Sequence, residues 1–178
     1  MKKNLKNYEL DDKAENGVRY VGRYYISDMT GPQRRKSGAL QMIAGAVELL
    51  LIIFAISVNC QGIRTIYVVI PLELILFCAL FYLMGAYRLF TSGDRLEQRT
   101  YDKAIANPVQ IVTIAMVLNF ISCLGQVILV IRKAGESFGY GDYIFLAMII
   151  VLFVLHILMW KHQRWIYDQV KIEQKAEA

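Results

Sequence analysis

Two glutamates, Glu48 and Glu73, sit inside the most apolar stretches of this chain, GALQMIAGAVELLLIIFAISV and IYVVIPLELILFCALFYLMGA. A carboxylate at membrane depth is costly and marks a functional group by default. Two carboxylates in one low-dielectric space do not both ionise easily, so a close pair can hold a proton. Three more polar side chains lie in apolar runs further on: Asn119, Gln126 and His156. Together these five form a candidate intramembrane polar or proton site. The competing role is structural: hydrogen bonds between helices, each contributing about 0.6 kcal/mol on average.

The two glutamates differ in surroundings. At helical spacing Glu48 is flanked by Gln41, Ala44, Gly45 and Ala55, a small and polar stripe suited to packing against other helices. Asn119 has a similar stripe in Ala115, Ser122, Cys123 and Gln126. Counted from Gly38 and from Pro108, Glu48 and Asn119 lie at nearly the same depth at about 1.5 Å per residue. We therefore expect the first and third helices to face each other, with Glu48 and Asn119 in hydrogen-bonding reach. Glu73 instead neighbours Val69, Ile70, Leu76, Phe77 and Leu80. Two readings of it stay open. In a straight hairpin it is level with Glu48. If Pro71 instead opens the second helix, Glu73 lies near the outer interface, where an acid complements the helix dipole.

These residues need helices that cross a membrane. The chain has 178 residues, 56% of them hydrophobic, which is too apolar for a soluble domain of one core. Four runs account for the excess, and each approaches the roughly 20 apolar residues that span a bilayer. We expect an all-α bundle of four transmembrane helices with short loops, at about residues 37–59, 65–88, 107–131 and 143–160. Residues 1–36 form an N-terminal arm and residues 161–178 a C-terminal tail. Trp160, Trp165 and Tyr167 suit an interfacial aromatic belt. No apolar segment near Met1 reads as a signal peptide, so the first helix serves as its own targeting signal.

Charge sets the orientation. Of 20 Lys and Arg, nine precede the first helix, one lies in the first loop, four in the second, two in the third and four in the tail. This alternation follows the positive-inside rule, placing both termini in the cytoplasm of a cell-membrane protein. Arg34, Arg35 and Lys36 are the basic residues at the membrane interface. The net charge of +5 is thereby explained without nucleic acid, for which no recognition module is present.

The flanking segments are short. Residues 1–16 read as disordered. GVRYVGRYYIS, residues 17–27, reads as a short strand or irregular segment touching the membrane, with an interfacial docking patch as the alternative. The middle loop has charges at helical spacing and reads as a brief helix. Asn107–Pro108 suits a helix start. The loop containing Gly135 reads as a turn, and the tail can extend the fourth helix.

Motifs for phosphate loops, dinucleotides, zinc proteases and serine hydrolases are absent, and no cofactor is implied. Cys60, Cys78 and Cys123 form no metal or redox pair and read as apolar packing. His156 has no acid beside it in sequence. The reading is therefore a small membrane protein that acts by interaction, as an accessory or assembly subunit. Its partners are the lipid bilayer and either a second copy or another membrane protein. The alternative is an oligomeric proton- or cation-linked transporter using Glu48 and Glu73.

Overall fold

The computed structural model describes residues 8–10, 18–20, 24–133 and 139–172. The expected disorder before residue 17 and the turn at Gly135 fall largely outside the described residues. Four helices are long and apolar enough to cross a membrane. They are α1 (Gly31–Ser57), α2 (Ile66–Thr91), α4 (Asn107–Lys133) and α5 (Tyr140–Asp168), with a one-turn α3 (Gln98–Tyr101) before α4. α3 runs through a π-helical segment, Asp102–Ala106, directly into α4.

Local chemistry sets the helix starts. Thr30 caps α1, its backbone N–H donating to Gln33 Oε1 at 3.0 Å, and Pro32 occupies the first turn, where its missing N–H costs nothing. α2 begins at Ile66, and Pro71 lies inside it. The loss of one N–H there does not end the helix, so the reading that started α2 at Pro71 is set aside.

Each long helix packs on two others, in the ring α1–α2–α4–α5 and back to α1. Buried positions recur every seven residues in all four: Arg34, Gln41, Glu48 and Ala55 on α1, and Val68, Ile75, Tyr82 and Leu89 on α2. Ile105, Val112, Asn119 and Gln126 do the same along the π segment and α4, and Asp142, Ile149, His156 and Gln163 on α5. A strict seven-residue repeat keeps one seam inward and is the pattern of left-handed four-helix bundles. The outer faces carry exposed Leu50, Phe54, Phe81, Val117, Val151 and Leu158, as a lipid-facing surface requires.

The all-α expectation needs amending at one end of the bundle. Strands β3 (Tyr24–Ser27), β4 (Arg95–Glu97) and β5 (Val170–Ile172) form an antiparallel sheet in the order β4–β3–β5. Tyr25 pairs with Leu96 on one side and Ile172 on the other. The sheet ties the N-terminal arm, the middle loop and the tail together over Met29, Leu89, Leu96, Ile105 and Ile166. Two further strands, β1 (Tyr8–Leu10) and β2 (Val18–Tyr20), pair with each other.

Close approaches fix the helix spacing. A Cβ at Gly38 would stand 2.7 Å from the Phe90 backbone nitrogen, and one at Gly45 would stand 2.7 Å from Leu83. Only glycine lets α2 lie this near α1.

Candidate functional site

The centre of the bundle holds a chain of buried polar side chains from three helices. His156 of α5 stands between Glu48 of α1 and Asn119 of α4. His156 Nε2 is 2.8 Å from Glu48 Oε1, and His156 Nδ1 is 3.2 Å from Asn119 Nδ2. All three residues are at most 1% exposed. Cys123 Sγ, one turn along α4, contacts Asn119 Oδ1 and the Ile149 carbonyl, each at 3.7 Å.

Donor and acceptor roles follow from this geometry. An amide nitrogen only donates, so Asn119 Nδ2–H donates to Nδ1. His156 Nδ1 is then unprotonated, and its proton is on Nε2, which donates to Glu48 Oε1. Cys123 donates to the Asn119 carbonyl oxygen, which fixes the amide in this orientation. The imidazole thus has one defined tautomer, set from both sides.

Glu48 Oε2 is buried and has no partner among the described residues. The same holds for the Tyr82 hydroxyl and for Gln41 Oε1. The Tyr82 ring lies 3.3 Å from the position of a Cβ on Gly45, between Gln41 and Glu48 in sequence.

Polar pairs continue toward both ends. On the sheet side Gln41 Nε2 donates to Gln163 Oε1, and Gln163 Nε2 donates to the Ile105 carbonyl at 3.2 Å. On the other side Ser122 donates to the Val68 carbonyl at 3.1 Å. Beyond it Gln126 Nε2 lies 3.4 Å from the Asp142 carbonyl. Asp142 is buried too, its Oδ1 accepting the Gln61 N–H at 2.7 Å.

The structure thus brings Glu48, Asn119 and His156 together but not as a direct Glu48–Asn119 bond. α1 and α4 lie across a diagonal of the ring, and His156 fills the gap. Gln126 lies inside the bundle near the opposite end from the sheet. Glu73 is exposed on the outer face of α2 and shares no space with Glu48. Arg34, expected at the interface, is instead buried at 4% exposure. Its Nε donates to the Ser92 carbonyl at 3.1 Å and its Nη1 to Asp94 Oδ1 at 2.8 Å. Arg35 and Lys36 are exposed.

Sequence reading missed Gln163, Tyr82 and Asp142, and saw no partner for His156. One signal was available: Gln41 and Glu48, and His156 and Gln163, are each seven residues apart. Among the described residues no group of three His, Cys, Asp or Glu could hold a metal ion. No protein-family model, curated protein or solved structure matches this chain.

Proposed function

We propose that this chain is a multi-pass cell-membrane protein that works by lateral association, as an accessory or assembly subunit, with both termini cytoplasmic. The observation that carries this reading is the separation of the two intramembrane carboxylates. Glu48 is enclosed and held by His156, so it serves to fix the bundle. Glu73 faces away from the bundle, where only lipid or another protein can meet it.

The basic residues support the orientation. Arg35, Lys36, Arg88, Arg99, Lys103, Lys161 and Arg164 flank the sheet end of the four helices, while Arg64 and Arg132 flank the other. That asymmetry matches cytoplasmic placement of the sheet.

The test is extraction of native membranes in a mild detergent followed by affinity purification of the full chain. Recovery with a stoichiometric membrane partner is expected. Recovery as an isolated monomer at native expression levels counts against the proposal.

A second reading, proton-linked transport, is favoured by one observation. Glu48 Oε2 and the Tyr82 hydroxyl are buried without partners among the described residues, and the imidazole of His156 already links Glu48 to Asn119. Such a chain has the parts of a proton relay. Loss of a reconstituted proton flux on Glu48→Gln would favour it.

A further inference from the structure

Glu73 lies on α2 seven residues after Ile66, the first residue of the helix. At about 1.5 Å per residue this is about 10 Å along the axis. That places it within the apolar run of α2, past Ile66, Val69 and Ile70. Glu73 is exposed and has no hydrogen-bond or ion-pair partner among the described residues. Lipid tails offer it neither a donor nor a counter-charge, so its outward position calls for a protein donor in the same layer.

The surface around it has the form of a helix-packing seam. Ile66, Ile70, Glu73, Phe77, Leu80 and Met84 are exposed and alternate at spacings of four and three residues. That is the spacing of a seam that one further helix can follow along its whole length. Bulky apolar side chains above and below the carboxylate would exclude water from a contact there.

Charge decides between a second copy and a different protein. Residues 37–57, 66–87, 104–131 and 140–160 contain no Lys or Arg. Arg64 is exposed but precedes Glu73 by nine residues, about 14 Å of rise. A second copy therefore brings no basic side chain to the depth of Glu73. We propose that the Glu73 face of α2 docks a transmembrane helix of a different protein, one carrying a lysine or arginine at the depth of Glu73. This rests on the lateral-association reading and names its surface and partner chemistry.

The test uses the full chain in phosphatidylcholine vesicles and a fluorescent synthetic leucine–alanine transmembrane helix. One probe carries a single lysine at the depth of Glu73. A second carries leucine there, and a third carries the lysine near its other end. The first should associate at least tenfold more tightly than the other two, as read by energy transfer. Glu73→Gln should reduce it to the level of the leucine probe. Glu73→Lys should reverse the preference toward a probe bearing glutamate. Because the side chain is exposed, both variants should keep wild-type helicity, checked by circular dichroism.

Equal binding of the lysine and leucine probes would overturn the proposal. So would a lysine preference that survives Glu73→Gln. Loss of the preference when phosphatidylethanolamine is added would assign the face to lipid amines instead. Glu73-dependent self-association in the same vesicles would assign it to a second copy. A chain that failed here but still co-purified with a partner from native membranes would keep the association reading and lose only this face.

Discussion

His156 stands between Glu48 and Asn119 and turns two side chains on opposite corners of the bundle into one hydrogen-bonded chain. The contact to Glu48 is the shorter of the two, and it joins α1 to α5, neighbours in the ring. Its burial makes it consequential: a buried donor left without an acceptor loses its hydration and receives nothing in exchange.

Glu48→Ala should therefore destabilise the bundle by about 1–3 kcal/mol, the cost of leaving His156 Nε2–H unsatisfied. Glu48→Gln should cost much less, since its amide oxygen can still accept. Denaturant titration in micelles measures both. In a double-mutant cycle, Glu48→Ala with His156→Ala should cost less than the sum of the two single changes. The coupling should exceed the average of about 0.6 kcal/mol for interhelical hydrogen bonds. Strict additivity would show that the pair contributes nothing as a pair.

Gly38→Ala should be the most disruptive small substitution on α1. The new methyl would stand 2.7 Å from the Phe90 nitrogen, a backbone atom that cannot rotate away. A loss of about 1–3 kcal/mol is expected, as for overpacking elsewhere. Gly31→Ala, with nothing within 4 Å, should stay within about 0.5 kcal/mol of wild type. The same titration separates them.

Arg34→Ala and Arg35→Ala should differ sharply although the residues are adjacent. Asp94 is 80% exposed, so its ion pair with Arg34 contributes little. The greater effect comes from the Ser92 carbonyl, which loses the buried guanidinium as its donor. Arg34→Ala should cost about 1–3 kcal/mol and expose the β4 segment to proteolysis after residue 92. Arg35→Ala should leave the cleavage pattern unchanged.

Cys60 lies in the turn between α1 and α2, outside the helices, and is buried. Burial pushes its thiol above the ordinary range, and Asp142 adds to the shift, while backbone N–H groups at Ile63 and Gly62 oppose it. A raised thiol holds less thiolate at any given pH, so alkylation should be slow at neutral pH and accelerate as pH rises. Labelling of folded protein in micelles should be at least tenfold slower than in detergent-denatured protein at the same pH. Equal rates would contradict the buried placement.

The four helices were legible in the sequence because hydropathy alone identifies spans of this length. The interior placement of Glu48 and Asn119 was legible too, because each lies on a stripe of small and polar residues. Their equal depth was a sound inference, yet the direct bond did not follow. Depth along a helix says nothing about which helices are neighbours, and the ring order puts α1 and α4 on a diagonal. His156 stood out as a polar side chain in an apolar run, but its seven-residue match, Gln163, lies past Trp160, where the apolar run stops, so the shared seam was harder to see. Arg34 looked like its two basic neighbours, and only the fold distinguishes the one that turns inward. A short strand was one reading of residues 17–27, where β3 forms, but its partners β4 and β5 are too short to show alternation and come from segments far apart in the chain.

The most direct measurement is proton flux into vesicles reconstituted with the wild-type chain and with Glu48→Gln. If Glu48 fixes the bundle and function lies at its outer face, wild-type vesicles should acidify no faster than protein-free ones, and Glu48→Gln should change nothing. A wild-type flux well above the protein-free rate, abolished by Glu48→Gln in a variant that still folds, would contradict that assignment.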